Sequence, residues 1–316
     1  MNAPLAWRSR VEDYLTYRRS LGFALKSHAS LLRQFAQFAE QVGQQDRLTV
    51  ALVIAWSRSM NDRVSVRWTG RLSILRGFAK YLLRFDPTTE IPPRNLFGPA
   101  TYHRRLPHIF SNEEVIALMD ASVCLQPSKG LRPQTCRTIF GLLAASGLRI
   151  SEALNLTRAD VDLHTGVLSI RETKFHKNRI APLDPSVTAA LKSYARLRDR
   201  RVPFTNSDHF FLFDRGNAPS PKAIRLTLRR LCEQFGWQPR GDYPHHRPQD
   251  MRHSFIVRSL LRFYQQGIEI DRAILALSTY VGHAHVAHTY WYCTAIPQLM
   301  AIATERYHRY AYGEPL

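Results

Sequence analysis

Apolar residues recur at intervals of three and four along most of this chain, a pattern that predicts helices with one buried stripe each. Leu31, Leu32, Phe35 and Phe38 make such a stripe, with Gly43 placed to end the helix. Thr49 is placed to cap a second helix through Ala51, Val53, Ile54 and Trp56. Leu72, Leu75, Ala79 and Leu82 form a third, stopped at Asp86-Pro87. Residues 90–99 then carry three prolines and a glycine and read as an extended linker, which residues 102–107 continue in basic form. The predicted domain boundary lies near residue 100, giving domains over 1–100 and 104–316.

Beyond the linker, Ser111-Asn-Glu-Glu114 has the form of a capping box opening a helix through Val115, Leu118 and Met119. A helix holding Ile139, Leu142 and Leu143 runs to Gly147, which breaks it, and Ser151 is placed to help start the next. Arg149 thus falls at a turn, with Glu152 three positions on. The pair reads either as a structural ion pair or as an arginine displayed to clamp a phosphate. Residues 161–170 and 178–183 read as strands flanking 172–177, a tip whose lysines are either simply solvated or able to deliver a proton to a leaving group. A basic helix over 185–201, a short buried strand over 210–213 and a helix from Ser220-Pro221 through Ile224, Leu228, Leu231 and Phe235 follow. A loop ending at His253 feeds a helix from Ser254 to Gln266. Last come an aromatic-rich stretch, Tyr280 to Tyr292, and a short apolar helix over 296–307. The predicted fold is mainly α with a small antiparallel β-sheet, the second domain being α+β.

Charge changes what this pattern means. The 316 residues carry 44 Lys+Arg against 25 Asp+Glu, a formal net charge of +19. The excess is spread along the chain, with Arg18, Arg19, Lys26, Arg33, Arg63, Arg67, Arg71, Arg76 and Lys80 between the apolar positions of the first domain. Singly these are solubilising; together they point to a polyanion, with nucleic acid ahead of an anionic membrane surface. The four cysteines are scattered, without a C-x-x-C pair, which fits a reducing cytoplasm better than a disulfide framework or a thiolate metal site. No apolar signal core opens the chain and no run approaches the ~18 apolar residues of a membrane span, so a cytoplasmic protein is expected.

Four motifs now stand in order. They are Gly147-Leu-Arg149-Ile-Ser-Glu152, the Lys174 hairpin closing on Arg179-Ile-Ala-Pro-Leu183, Gln249-Asp-Met-Arg252-His253, and Gly282-His283 with Tyr292 nine positions later. In that order and spacing the chain resembles the tyrosine recombinases of the phage-integrase family, most closely those carried by bacterial transposons. The resemblance implies a helical core-binding domain and a catalytic domain that together form a C-shaped clamp on duplex DNA. It implies that Arg149 and Arg252 grip the scissile phosphate, that Lys174 protonates the leaving 5′ oxygen, that His283 assists, and that Tyr292 attacks. Glu152 matches the acidic residue supporting the first arginine. Tyr290 is the rival nucleophile. The family writes His where this chain has Gln249, and glutamine donates a hydrogen bond but exchanges no proton; His245 and His246 lie close enough in sequence to substitute.

Cations around a phosphoryl centre lower the barrier without a metal, so no cofactor is expected. His283-x-His285-x-x-His288 lacks the carboxylate or cysteine that would complete a metal site. The resemblance further implies a homo-oligomer on DNA, a tetrameric synapse, with or without companion recombinases. Two other readings stay open at this point: an accessory DNA-binding protein with weak or lost cleavage, and a type IB topoisomerase-like relaxing enzyme.

Overall fold

In a computed structural model, which describes residues 6–44, 47–59, 65–97, 104–171 and 178–313, the apolar stripes of the first hundred residues close on one another as four helices. These are α1 (Trp7–Ser20), α2 (Lys26–Gln41), α3 (Val50–Ser59) and α4 (Ser65–Leu82). The first of them escaped the sequence reading, although Trp7, Val11, Tyr14 and Leu15 are buried at helical spacing. Trp7, Phe35, Trp56 and Trp68 form a chain of edge-on aromatic contacts through this core. Residues Met1–Arg104 make one unit and Arg105–Leu316 the other.

The second unit opens with α5 (Asn112–Ser122), α6 (Arg132–Ser146) and the short α7 (Ile150–Asn155). Both halves of the Ser111–Glu114 box form: Ser111 Oγ accepts from the Glu114 N–H, and the Ser111 N–H donates to Glu114. Strands β1 (Val161–Asp162), β2 (Val167–Ile170) and β3 (Arg179–Pro182) pair antiparallel in that order, with Ile170 opposite Arg179. The predicted strand over 161–170 is therefore two strands. Between them the Asp162 carboxylate collects the N–H groups of His164 and Thr165 and the Thr165 hydroxyl, which turns the chain. The hairpin tip over 172–177, with Lys174, lies outside the described residues.

Helices α8 (Pro185–Arg201), α9 (Pro221–Gln234), α10 (Pro248–Gln265), α11 (Ile270–Val281), α12 (Ala287–Ala295) and α13 (Pro297–Ala311) complete the unit. Two sequence expectations need correction. Residues 210–212 are buried and Phe213 is half-buried, but they form no strand: after one backbone bond from Phe210 to Leu156, side chains and a turn take the bonds a neighbouring strand would need. The Leu212 N–H donates to Tyr194 Oη, the Leu212 carbonyl accepts from Thr135, and the Phe213 N–H donates to Asn217. Helix α10 begins at Pro248 instead of Ser254. Proline at the first helical position loses no bond, and the Asp250 carboxylate reaches back to the Arg247 N–H at 2.8 Å. Gln249, Arg252 and His253 consequently sit on the opening turns of a helix and not in a loop. No helix among the described residues is long and apolar enough to cross a membrane.

A buried histidine pair sits beside the cap of α5. Glu114 takes both amino groups of Arg240 at 2.6 and 2.7 Å and lies 3.5 Å from His108 Nε2. The rings of His108 and His246 meet edge to face with centroids 4.4 Å apart. Burial, then the neighbouring His246 and Arg240, push His108 down to about 4, against the pull of Glu114. Burial lowers His246 as well. In the unfolded chain both imidazoles take protons near pH 6.5. Their contribution to stability is therefore complete above that pH and is lost as pH falls below it, for His108 down toward 4, at up to about 1.4 kcal/mol per pH unit for each titrating ring. Urea midpoints measured from pH 7.5 to 4.5 should show this decline. His108→Asn, whose Oδ1 can still accept the Arg240 N–H, should flatten it.

Candidate active site

A helix leaves its last carbonyls without partners along its own backbone. At the end of α11 three consecutive carbonyls are taken by three arginines from three different elements. Arg179, at the start of β3, donates Nε to Tyr280 O at 2.9 Å. Arg252, on α10, donates to Val281 O at 2.7 Å, and Arg149, at the start of α7, donates to Gly282 O at 2.9 Å. The negative end of the helix dipole favours the positive charge gathered there. Arg252 also donates to Gly147 O, 2.7 Å away at the end of α6, and so bridges two helix C-termini.

One carboxylate organises these cations. Glu152 receives Arg149 Nη1 at 2.5 Å and a fork from Arg179 at 3.0 and 2.8 Å, and it accepts the Arg149 backbone N–H at 3.0 Å. Its side chain is 5% exposed. Burial opposes its ionisation, but bonding to Arg179 and the charges of Arg179 and Arg149 outweigh that and hold the carboxyl at about 2. Two guanidiniums bond this carboxylate and the third, on Arg252, feels its charge from further off, so positive charge is in excess. Arg252 is only 1% exposed. Burial, then the nearby Arg149, lowers it to about 9, which leaves it charged at neutral pH.

The glycines of the two Gly-containing motifs are explained by the same geometry. Gly147 has φ +62° and Gly282 φ +71°, a region that side chains other than glycine's rarely enter. A Cβ on Gly147 would lie 2.4 Å from the Phe255 ring, and one on Gly282 would lie 2.8 Å from Arg179 Nη1. Each glycine thus lets a carbonyl turn toward an arginine while another side chain lies against its α-carbon.

His283 follows directly, its N–H bonded to Ser278 O and its Nδ1 2.8 Å from Thr289 Oγ1. Tyr292 lies on α12 and is 1% exposed, packed with Ile256, Val257 and Leu260 of α10 and Leu277 and Val281 of α11. Its hydroxyl is 2.5 Å from Nδ1 of His253 on α10. Tyr290, by contrast, is 42% exposed and donates to Asp271 at 2.7 Å. That bond to a carboxylate raises its phenol above the usual range. Gln249 is half-buried one turn before His253 on the same face of α10. His246 is buried against His108 and Phe110. Among the described residues no group of three or more His, Cys, Asp or Glu is placed to hold a metal ion.

The structure therefore brings Arg149, Arg252 and His283 to the end of α11, with Tyr292 packed against the last turns of that helix, while Lys174 falls outside the described residues. Two neighbours carried no assigned role in the sequence reading: Arg179, which shares Glu152 with Arg149, and His253, which meets Tyr292. The second was within reach of a sequence argument, since Pro248 and Asp250 mark a helix start that puts Gln249 and His253 on one face.

Residues 109–298 match the phage integrase family. The y4rB integrase/recombinase of Sinorhizobium fredii is 38% identical over 307 residues, covering 96% of this chain and 97% of that protein. The tyrosine recombinase XerC of Alcanivorax borkumensis is 28% identical over 221 residues, covering 70% of this chain and 66% of that protein. In fold, the chain is similar to the integrase of transposon Tn1549 in complex with a circular intermediate DNA, with a TM-score of 0.66 at 16% identity over 94% of this chain and 99% of that one. The chain belongs to the phage integrase family and is a tyrosine recombinase.

Proposed function

We propose that this chain cuts and rejoins duplex DNA at specific sites through a 3′-phosphotyrosyl link to Tyr292, serving the integration and excision of a mobile element. The observation that carries this reading is the convergence of three arginines on one helix end, beside the segment bearing Tyr292. Attack on a phosphodiester builds negative charge on the non-bridging oxygens, and fixed guanidiniums that need no reorganisation lower that barrier most. Arg149 and Arg252 grip those oxygens, releasing carbonyl partners as the phosphate arrives. Gln249 donates an amide hydrogen to the same centre, and His283 steadies the phosphate. The phenol oxygen forms the new bond to phosphorus, the bond to the 5′ oxygen breaks, and Lys174 supplies that oxygen with its proton. The aryl phosphodiester retains the bond energy, so a 5′-hydroxyl reverses the step without a nucleotide cofactor.

The helical N-terminal unit supplies further phosphate contacts, and the duplex is assembled with four copies of the chain. Exposed Met300, Tyr307, Tyr310 and Tyr312 on and just after α13, of which only Leu299 is buried, support docking of that helix on another copy. The relatives named as an integrase/recombinase and a transposon integrase support the mobile-element setting.

A duplex nicked next to the crossover, cut from the ends of the element, tests the reading: the nick lets the short 5′ end diffuse away and traps the covalent complex. Binding without any adduct would favour an accessory DNA-binding role, and relaxation of plasmids lacking a site would favour a topoisomerase-like one. For the acid, Lys174→Ala should slow adduct formation by about 10²–10⁴-fold. A 5′-bridging phosphorothiolate, whose leaving group needs no proton, should restore most of that rate. If sulfur gives no recovery, Lys174 is not the acid.

A further inference from the structure

We propose that His253 is a catalytic residue that holds the Tyr292 hydroxyl and takes its proton as the phenol attacks phosphorus. The inference rests on the function proposed above and assigns the base that it leaves unnamed. Phenols ionise near pH 10, so at neutral pH a tyrosine nucleophile needs either strong cationic stabilisation or an acceptor for its proton. Gln249 cannot be that acceptor, because an amide exchanges no proton. His253 lies one helical turn further along the same face of α10, and its Nδ1 is 2.5 Å from the Tyr292 hydroxyl. That is within the reach a general base requires. The ring centroids are 5.7 Å apart, so the contact is made edgewise by the nitrogen and not by stacking of the two rings.

The pair is held by packing. Ile256, Val257 and Leu260 on α10 share a buried cluster with Tyr292, Ile296 and Leu299, so the helix carrying the imidazole and the segment carrying the phenol cannot shift independently. Arg252, next to His253 in sequence, is the arginine that reaches both helix ends of the site. The charge of Arg252 also reaches Tyr292, so a phosphate drawn to Arg252 arrives near a phenol already bonded to the imidazole. The neutral ring with its hydrogen on Nε2 presents Nδ1 as the acceptor. In the forward step the Tyr292 O–H bond breaks, its proton passes to Nδ1, and the phenol oxygen bonds to phosphorus. The 5′ oxygen leaves with the proton that Lys174 supplies. In resealing, the 5′-hydroxyl returns a proton to Lys174, and the imidazolium returns its own to the departing phenol. No further reactant is needed.

The test uses the full chain on the nicked duplex, with adduct formation followed in a single turnover. His253→Gln should slow the adduct by about 100-fold. Replacing Tyr292 by a fluorotyrosine, whose phenol is more acidic, should then recover at least tenfold of that loss within the His253→Gln background, while changing the rate little in the parent chain. The comparison is a ratio within one variant and so does not depend on its folded fraction. His253→Asn, which can accept the hydroxyl without taking its proton, serves where glutamine prevents folding. An adduct rate in either variant equal to or above that of the parent chain would overturn the proposal, since the bond would then merely park the phenol. Equal rates for tyrosine and fluorotyrosine in the variant would overturn it too. Absence of adduct from the parent chain itself would instead count against the function proposed above.

Discussion

Tyr292→Phe should form no covalent complex with the nicked duplex, a loss exceeding about 10⁴-fold, as the proposed role of Tyr292 as nucleophile requires. Phenylalanine keeps the ring that fills the cluster with Val257, Leu260 and Val281, so the core survives. What is lost is the hydroxyl and its bond to His253, worth about 1 kcal/mol of stability. The variant should therefore fold and bind the duplex, so that its failure is chemical. Tyr290→Phe is the paired measurement. Tyr290 is exposed and its hydroxyl is engaged by Asp271, a carboxylate that opposes formation of the phenolate a nucleophile needs. Its removal should leave adduct formation close to the parent rate. A denaturing gel with labelled DNA reads both. Adduct from Tyr292→Phe, with none from Tyr290→Phe, would exchange the two assignments and with them the role given to His253.

The sequence made the helices legible because each carries one apolar stripe, and the motif residues legible because their types and spacing are unusual. Where reading failed, the cause was chemistry between residues distant in the chain. Residues 210–213 look like a strand because they are four apolar residues, yet Tyr194 and Thr135, from two other helices, take two of the bonds that decide the matter. The start of α10 is hard to place from sequence because Pro248 and Asp250 suit a loop as well as a helix start, and a loop there puts His253 on no helix face. Arg179 opens the segment on which the Lys174 hairpin closes, but among 44 Lys and Arg nothing local gives it a role of its own. Its importance appears only when β3 brings it against Glu152 and the end of α11. Gly147 and Gly282 show the opposite case, since their place before Arg149 and His283 was visible while its cause was not. The cause is a positive φ, with Phe255 against one α-carbon and Arg179 against the other.

Glu152→Ala should be the most damaging change that touches no reacting atom. It leaves Arg149 and Arg179 close together, partly buried, with no carboxylate between them, and it removes a carboxylate whose charge supports Arg252. Removing one member of a buried ion pair costs about 3–5 kcal/mol, most of it from the charges left behind. Glu152→Gln separates charge from shape. It imitates the protonated acid, which in this fold forms only near pH 2. A carboxyl lowered from 4.5 to about 2 contributes its stability in full above pH 4.5 and loses it as pH falls toward 2, so at neutral pH the glutamine variant should lack an amount on the order of 3 kcal/mol. Urea unfolding reads that difference. The same substitutions decide between charge and geometry in the site. If net positive charge alone served the phosphate, removing a carboxylate would strengthen binding and speed cleavage together. If Glu152 matters by fixing where the arginines point, DNA binding holds or tightens while adduct formation falls by about 10²-fold. The second outcome is expected, because the bidentate fork to Arg179 and the double contact to Arg149 specify direction as well as charge. Alanine and glutamine variants that are both as stable and as fast as the parent would remove Glu152 from the site.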